Sequence, residues 1–383
     1  MDIFITGAAG FLGSHVLLHW LVQRPMSRAL CLVRSSRENS ALNRVKSSLA
    51  QSIFECSLQI DIDKLMNRIT IIDSDLEQLQ LFNMPSVSSW FNETLGFQVI
   101  HCAANLSFRE ANRQQVWNIN VTGTTILLKA LRDIPKLIAF NYVSTAYVAG
   151  TKEGHIFEDR MEQPSLFNNV YEESKWNAEQ IVINETEKMS IGMRIFRPSI
   201  IVGHSTTLRI SVETGLYKVL GTLVQCAHSR LAPRNPIQIP VKRNANLNLM
   251  PIDLVVQEMF DVINAGIPSL GKIFHLTNER PLSVADIFYG VASLTGVCLC
   301  CRTNQSQKKD IPKEEVMILK CLQDYLPYFS QARTFDRSNV HLCGANRYQQ
   351  QYWLDIVTLR QLVSAYMEAK TANLYNSKDA IGV

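Results

Sequence analysis

The sequence predicts an α/β fold in which a doubly wound parallel sheet is joined to a smaller, mostly helical C-terminal cap. Through the first half of the chain, short apolar runs alternate with helix-length segments. That alternation requires crossover connections and is typical of a parallel sheet covered by helices on both faces. The first apolar run also leads directly into three evenly spaced glycines. With 383 residues, of which 46% are hydrophobic, the chain is long enough to bury a large core.

The first element is a short strand over residues 3–5, followed by a turn that contains Gly7, Gly10 and Gly13. Glycine adopts a positive φ without cost, and it lets a pyrophosphate approach the backbone more closely than any Cβ would allow. The amides at the start of the following helix then face the anion. Strand, turn and helix together predict the phosphate end of a dinucleotide site in a Rossmann-type sheet. The predicted cofactor contacts here are Thr6, Gly7, Ala9, Gly10, Phe11, Leu12 and Gly13.

The remaining elements follow the same alternation. Strands are expected at Ala29–Val33, Ile69–Ile72, Val99–Cys102, Ile138–Val143 and Arg194–Ile201, with a return strand at Lys272–Leu276. Residues 230–243, rich in proline and basic residues, are predicted to form a loop. We expect a nucleotide-binding domain over residues 1–205 with a return segment at about 246–280. Residues 206–245 and 281–383 are expected to form a substrate-binding cap over the carboxyl ends of the strands, where such sheets bind ligands.

Composition and charge argue against several classes of protein. The net charge of +4 is small and the basic residues are scattered, so no nucleic-acid partner is expected. The nine cysteines show neither a disulfide framework nor zinc-ligand spacing, and we therefore expect reduced thiols and no metal site. There is no apolar run of about 18 residues, and the first strand leaves no room for a signal peptide. A cytoplasmic protein without a transmembrane segment is expected.

Arg34 directly follows the second strand, at the position where NAD-selective sites tend to carry an acidic residue for the ribose 2′-hydroxyl. A guanidinium there suits a 2′-phosphate instead, because its fork matches phosphate oxygens bidentately. Arg37 and Arg44 lie close in the sequence and are candidates to bind the same 2′-phosphate. The alternative for each arginine is a solvated position on a surface loop. We predict NADPH as the cofactor, with Arg34 and Arg44 among its contacts.

Tyr171 and Lys175 are four residues apart and therefore share one face of a helix. A tyrosine exchanges its proton poorly at neutral pH unless a neighbouring ammonium stabilises the phenolate. Lys175 is placed to do so, and also to hold a nicotinamide ribose. Ser144 and Thr145 follow the fifth strand, where a hydroxyl can bind the same substrate oxygen that Tyr171 protonates. The alternative is an ordinary pair on a surface helix, but the three elements together predict a catalytic Thr145, Tyr171 and Lys175.

These residues resemble the extended short-chain dehydrogenase/reductases, and the resemblance covers most of the first 280 residues. It implies that the glycine turn and the Thr145, Tyr171 and Lys175 triad play that family's cofactor and catalytic roles. It also implies further cofactor contacts, namely Asp75 and Leu76 after the third strand, Ala103 and Ala104 after the fourth, Asn120 in the following helix, Ser144, and Pro198 and Ser199 beside the nicotinamide.

Within that superfamily, the chain is most similar to fatty acyl-CoA reductases and to the terminal thioester reductase domains of carboxylic acid reductases and of nonribosomal peptide and polyketide synthetases. The similarity is carried by residues 6–13, 32–34 with Arg44, 99–104, 142–148 and 197–203, and by Met250–Asp253. Asp253 is expected to be a structural anchor. The segment His204–Thr207 lacks a glycine often found in the family, and beyond about residue 280 no match is evident.

The resemblance implies an NADPH-dependent reductase that converts an acyl thioester, carried by coenzyme A or a carrier protein, into an aldehyde, and it leaves open a second reduction to the alcohol. One alternative is an NADP-dependent ketone or aldehyde reductase, or a sugar-nucleotide epimerase or dehydratase, although Arg34 argues against the epimerases. Another is a non-catalytic NADPH-binding regulatory protein, against which the complete triad argues. His101 and Cys102 are expected to be packing residues and Glu179 to be solvated, while Phe108 and Tyr147 line either the substrate channel or the core.

Overall fold

The structure is a computed structural model, and it describes residues 1–79, 85–210, 215–217, 219–221, 237–240, 242, 244–295, 297, 299–302, 313–346 and 354–379. The strands are β1 (Asp2–Thr6), β2 (Ala29–Val33), β3 (Ile69–Asp73), β4 (Phe97–His101), β5 (Leu137–Val143), β6 (Gly154–Ile156), β7 (Gly192–Pro198), β8 (Ile200–Val202), β9 (Ile237–Pro240), β10 (Asn246–Leu247), β11 (Leu249–Pro251), β12 (Lys272–Leu276), β13 (Leu282–Ser283), β14 (Leu299–Arg302) and β15 (Arg333–Phe335).

The α-helices are α1 (Phe11–Gln23), α2 (Ala41–Glu55), α3 (Ile62–Met66), α4 (Pro85–Glu93), α5 (Arg113–Trp117), α6 (Gly123–Leu131), α7 (Val170–Met189), α8 (Ile252–Asn264), α9 (Val284–Thr295), α10 (Lys313–Leu322), α11 (Ser338–Leu342) and α12 (Ile356–Asp379). Side-chain caps fix where α2 and α7 begin. The Ser40 hydroxyl accepts the Asn43 amide at the start of α2, and the Asn169 side chain accepts the Glu172 amide at the start of α7. The second cap sets the position of the Tyr171 turn.

Seven parallel strands form the central sheet, in the order β12-β7-β5-β4-β1-β2-β3. The chain builds outward from β1 to β3 and then restarts on the other side of β1 with β4, which leaves a crevice at the carboxyl ends of β1 and β4. Ile3 and Ile5 pack on one face of the sheet and Phe4 on the other, and all three are fully buried. The predicted doubly wound α/β sheet is confirmed.

Two predicted elements differ from the structure. The expected strand Arg194–Ile201 is divided, because β7 ends at Pro198, which has no amide hydrogen to continue the ladder, and β8 then pairs with β11. The loop predicted over residues 230–243 is wrong at Ile237–Pro240, which form β9 beside β14. Ile237 and Ile239 alternate into a buried core, and this period of two stabilises a strand despite the prolines. Of the rest of that segment, only Lys242 lies within the described residues.

Later parts of the chain contribute both to the central sheet and to a second region that has its own buried core. β12 forms the outer edge of the sheet beside β7, and α8 packs against α1. The described residues of β9, β10, α9 and α12 share a second buried core with Tyr147 and Val202 of the sheet region. The core of this second region therefore adjoins the carboxyl ends of β5 and β7. The domain boundaries stated above remain predictions.

Candidate active site

The glycine turn passes very close to the end of β4. Gly7 has φ +72°, and a Cβ on it would lie 2.6 Å from the Ala103 nitrogen. A Cβ on Gly13 would lie 2.1 Å from the Gly7 carbonyl oxygen, so α1 can begin this close to β1 only with glycine. The Gly10 amide donates to the Gly7 carbonyl at 2.9 Å and closes the turn. These side-chain-free positions leave a cradle in which a pyrophosphate fits against the amides.

A buried chain of hydrogen bonds runs behind that turn. The Thr6 hydroxyl lies 2.6 Å from Nδ1 of His101, and Thr124 Oγ1 lies 2.9 Å from Nε2. Thr124 donates to the Asn120 carbonyl and Thr6 accepts the Ala103 amide, so one neutral tautomer with hydrogen on Nε2 satisfies every contact. Burial, with a smaller contribution from Lys175, lowers the pKa of His101 to about 3. His101 therefore has the expected packing role and fixes the turn to α6.

The Asn120 side chain binds protein rather than the cavity. Its carboxamide oxygen accepts the Asn105 amide at 2.7 Å, and its nitrogen donates to the Ser174 hydroxyl at 2.9 Å. Asn120 and Thr6 are the predicted cofactor contacts that lie outside the set of described residues lining the cavity. Both support the loops around it.

The other predicted residues line a single cavity of about 620 Å³ in the crevice between β1 and β4. They are Gly7, Ala9, Gly10, Phe11, Leu12, Gly13, Arg34, Arg44, Asp75, Leu76, Ala103, Ala104, Ser144, Thr145, Tyr171, Lys175, Pro198 and Ser199. The residues that line it extend from the ends of β2 and β3, past the glycine turn, to α7. The fold therefore brings the predicted cofactor and catalytic positions together.

One end of the cavity is polar and exposed. Arg34 Nη1 lies 3.2 Å from Asp75 Oδ1, and the Arg44 guanidinium donates to the Arg34 carbonyl oxygen. The two side chains of the ion pair are 60% and 48% exposed, so the pair is weakly held and its geometry is free to change when an anion binds. Arg37 is exposed and lies outside the described cavity lining.

The other end contains the catalytic candidates. Lys175 is 2% exposed, and its ammonium lies 4.2 Å from the centre of the Tyr142 ring. Burial lowers the pKa of Lys175 to about 7, although Glu179 acts in the opposite direction. Burial also raises the pKa of Tyr171. Among the described contacts, Lys175 packs on Tyr142 and forms no hydrogen bond with the Tyr171 hydroxyl.

Hydroxyl-bearing residues also line the cavity. Thr145 follows β5, and its Oγ1 accepts the Tyr147 amide at 3.3 Å. The hydroxyls of Ser144 and Ser199 are buried and have no hydrogen-bond partner in the described structure. A buried polar atom without a partner is costly, and both residues line the cavity, in which a polar ligand would supply a partner. The donor set at this end fits a nicotinamide and its ribose beside a substrate carbonyl.

A buried ion pair lies near Lys175. Arg197 donates to both carboxylate oxygens of Glu179, at 2.9 and 2.7 Å, and both side chains are fully buried. The expectation that Glu179 is solvated is therefore wrong. A lone glutamate on a helix face is usually exposed, but the arginine that pairs with it comes from β7 and is 18 residues away. The bidentate pair places a carboxylate near Lys175 and holds α7 on the sheet.

Beyond Tyr171 the cavity wall is aromatic and aliphatic. Phe108 stacks on Tyr328 with ring centres 5.7 Å apart, and its ring centre is 6.0 Å from that of Tyr171. The other described residues at this end include Tyr147, Leu216, Val219, Leu247, Tyr325 and Phe329. Phe108 and Tyr147 thus line the channel, and Tyr147 also packs in the adjoining core. The residues after 280 could not be assigned from the sequence, because no motif marks them.

A buried carboxyl group joins this wall to α7. Tyr328 donates to Glu172 Oε1 at 2.6 Å, and the Asn168 amide donates to Glu172 Oε2 at 3.0 Å. Burial raises the pKa of Glu172 to about 7, although these hydrogen bonds act in the opposite direction. Glu172 is the immediate neighbour of Tyr171, so the segment that carries Tyr328 is fixed directly to the turn of α7 that contains Tyr171.

Within the described part of the chain, no helix has both the length and the apolar character needed to cross a membrane. The same residues include no group of three His, Cys, Asp or Glu side chains arranged to hold a metal ion.

Comparison with known proteins gives consistent results. A model of an NAD-binding family, described as Male sterility protein, matches residues 5–259. The chain is 27% identical over 296 residues to a nonribosomal peptide synthetase, asaC, of Aspergillus flavus, covering 74% of this chain and 27% of that protein. It is 28% identical over 189 residues to Fatty acyl-CoA reductase 1 of Gallus gallus, covering 49% of this chain and 36% of that protein. The chain thus spans about a third or less of the length of these two relatives.

The fold is also found in a solved structure. The terminal R domain from the myxalamid PKS-NRPS biosynthetic pathway superposes with a TM-score of 0.73 at 23% identity. The match covers 97% of this chain and 90% of that domain, so it includes the region after residue 280 where the sequence showed no motif.

Proposed function

The chain belongs to the family described as Male sterility protein, and from that membership we propose that it is an NADPH-dependent reductase that converts an acyl thioester into an aldehyde. The resemblance to the extended short-chain dehydrogenase/reductases is confirmed, and the chain is a nucleotide-dependent oxidoreductase of that superfamily. The observation that carries the proposal is the position of Tyr171, Lys175 and Thr145 between a dinucleotide cradle and an apolar wall.

The cofactor proposal rests on the two ends of the cavity. Gly7, Gly10 and Gly13 would hold the pyrophosphate, and Arg34 with Arg44 would bind the 2′-phosphate that distinguishes NADPH from NADH. Lys175 and the partnerless hydroxyls of Ser144 and Ser199 would hold the nicotinamide riboside. When bound there, NADPH supplies a hydride to the substrate carbonyl carbon.

The chain's own residues stabilise the negative charge that develops on the carbonyl oxygen. Tyr171 donates its proton to that oxygen, and the Thr145 hydroxyl donates a hydrogen bond to it. Lys175, which lines the same cavity, would stabilise the phenolate form of Tyr171 that remains after the proton is donated. The resulting hemithioacetal collapses by breaking the carbon–sulfur bond, which releases an aldehyde and a thiol.

The substrate proposal rests on the wall beyond Tyr171. Phe108, Tyr325, Tyr328 and Phe329 present aromatic surface with little hydrogen-bonding capacity, which suits an apolar acyl group. The same wall would bind a sugar ring poorly, since its hydroxyls would lose hydrogen bonds to water without replacement. Two similar proteins, a fatty acyl-CoA reductase and a nonribosomal peptide synthetase, support a thioester on coenzyme A or on a carrier protein.

The proposal is tested by incubating the protein with NADPH and a panel of acyl-pantetheine thioesters, and following free thiol together with cofactor oxidation. We expect one thiol per NADPH if the product is the aldehyde and one per two NADPH if it is the alcohol. Cofactor oxidation by ketones or aldehydes alone, without thiol release from any thioester, would establish the alternative reductase. Tight NADPH binding without any turnover would favour the regulatory alternative.

A further inference from the structure

One side of the cavity extends into the second buried core. Four residues line the cavity and also pack in that core, and we call them the inner pocket: Leu216, Val219, Leu247 and Phe329. None of the four is more than 5% exposed. Their side chains carry no hydrogen-bonding group, so this part of the cavity offers a ligand apolar contacts and no polar partner from these residues.

Another side of the cavity reaches the protein surface. Its residues, which we call the outer rim, are Leu106, Phe108 and Tyr325. Leu106 is 54% exposed, and the other two are partly exposed. Arg109 Nε and Asp324 Oδ2 lie 3.7 Å apart beside this rim, and both side chains have access to water. A polar group that passes the outer rim therefore keeps contact with solvent.

Tyr328 contacts residues of both sides. Its ring stacks on Phe108 with centres 5.7 Å apart, and it meets the ring of buried Tyr147 edge-on at 5.0 Å. The Tyr328 hydroxyl donates to Glu172 and accepts a hydrogen bond from Asn169 at 2.8 Å. These bonds hold the ring in place and occupy its hydroxyl, so Tyr328 presents mainly aromatic surface to a ligand.

The two halves of an acyl-pantetheine thioester make opposite demands. An alkyl chain gains free energy when it leaves water for an apolar pocket. The pantetheine arm carries amide and hydroxyl groups, which lose hydrogen bonds if they are buried among aliphatic side chains. The arm also continues to coenzyme A or to a carrier protein, so its far end has to reach the protein surface.

We propose that the acyl chain occupies the inner pocket while the pantetheine arm leaves the cavity past the outer rim, and that Val219 is a residue that limits the length of the chain. Val219 has the smallest side chain of the inner pocket, so its enlargement removes space there. This inference rests on the proposed function in one respect, namely that the ligand is an acyl-pantetheine thioester.

The test measures binding without turnover. S-butyl- and S-decylpantetheine are thioethers that lack a carbonyl group to reduce, and their affinities for the NADP⁺-loaded protein are measured by isothermal titration. Val219→Phe should lower the affinity of the decyl compound relative to the butyl compound by at least about tenfold, because the longer chain needs the space that the ring fills. Leu247→Phe narrows the same pocket from β10 and should act in the same direction, which provides a second variant if one of them fails to fold.

Two variants serve as controls. Leu106→Trp alters the outer rim and should change the two affinities by the same factor, since both compounds carry the same pantetheine arm. Val202→Ala disturbs the same buried core at a fully buried residue outside the described cavity lining, and it should leave the ratio of affinities unchanged.

The opposite pattern would overturn the proposal: a ratio lowered by Leu106→Trp and left in place by both Val219→Phe and Leu247→Phe would place the chain at the outer rim. Absence of binding of either thioether to the unmodified protein would also overturn it. Failure of the proposed reductase activity has a different signature. Chain-length-dependent binding as expected, with no reduction of butanoyl- or decanoyl-pantetheine, would support the inner pocket and refute the reaction, whereas reduction of both with an unaltered ratio in Val219→Phe and Leu247→Phe would do the reverse.

Discussion

Burial shifts the pKa values of Lys175 and Tyr171 in opposite directions, because it disfavours the charged form of each. It lowers the pKa of Lys175 to about 7 and raises the pKa of Tyr171. In the proposed mechanism, proton transfer from Tyr171 leaves a phenolate that the Lys175 ammonium neutralises, and a pair with no net charge costs less in the same pocket than a phenolate alone. The proposed acid and counter-ion therefore act together when the carbonyl oxygen takes the proton.

Tyr171→Phe should leave the dissociation constant of NADPH within about twofold while lowering turnover by a factor of about 100 to 10,000, as expected for loss of a general acid. The ring remains in contact with Phe108, so the cavity wall is preserved. Fluorescence titration gives the first quantity and steady-state thioester reduction the second. Undiminished turnover would remove Tyr171 from the mechanism.

The charge on Lys175 should be visible in the pH profile. Because its pKa in the free protein is lowered to about 7, the ammonium is present below that pH and is lost as the pH rises through it. The kcat/KM for NADPH, which reports on the free enzyme, should therefore decline above about pH 7. In Lys175→Met we expect NADPH to bind weakly, with an affinity that does not vary over the same pH range. A decline of that affinity above about pH 7 in this variant would assign the titration to another group.

Arg34→Ala should weaken NADPH binding by a factor of 10 or more, which corresponds to about 1.4 kcal/mol or more of binding free energy. NADH binding should change little, since only NADPH carries the 2′-phosphate. Arg37→Ala is the matched control, because Arg37 is exposed nearby but does not line the described cavity. Isothermal titration with both cofactors measures the selectivity. Equal weakening of both would show that the Arg34–Asp75 pair is structural.

At the scale of elements, the hydrogen bond from Tyr328 to Glu172 connects the aromatic wall to the turn of α7 that contains Tyr171. Tyr328→Phe removes the hydrogen bond to buried Glu172 and should lower the free energy of unfolding by about 1–3 kcal/mol. Tyr325→Phe should change the free energy of unfolding much less, because Tyr325 is only partly buried and its hydroxyl has no described hydrogen bond. Urea unfolding compares the two, and equal losses would contradict a specific role for the Glu172 contact.

The elements that could be predicted from the sequence are those whose pattern is local. Each strand of the sheet is a short apolar run, and the glycine turn and the Tyr171–Lys175 pair each lie within one element and its flanks. The strand β9 was missed because prolines mark breaks, whereas its stability comes from burying Ile237 and Ile239 against distant residues. Glu179 was misjudged for the same reason, since its partner Arg197 lies on another element.

At the scale of the whole molecule, the sheet fixes the cofactor end of the site and the later residues fix the substrate end. Tyr325, Tyr328 and Phe329 follow no motif, and only the folded chain shows that they line the same cavity as Tyr171. The proposed cofactor and catalytic positions could therefore be predicted from the first 205 residues, but the aromatic wall contributed by later residues could not.

In the proposed reaction, hydride reaches the carbonyl carbon of a thioester while the sulfur departs. The direct test supplies an apolar acyl-pantetheine thioester with NADPH deuterated at the nicotinamide C4, and the products are analysed by mass spectrometry. We expect deuterium on the carbonyl carbon of the released aldehyde, or of the alcohol formed from it, together with one equivalent of free pantetheine thiol. Thiol released with a carboxylic acid and no deuterium, or deuterium transferred elsewhere with the thioester intact, would contradict it.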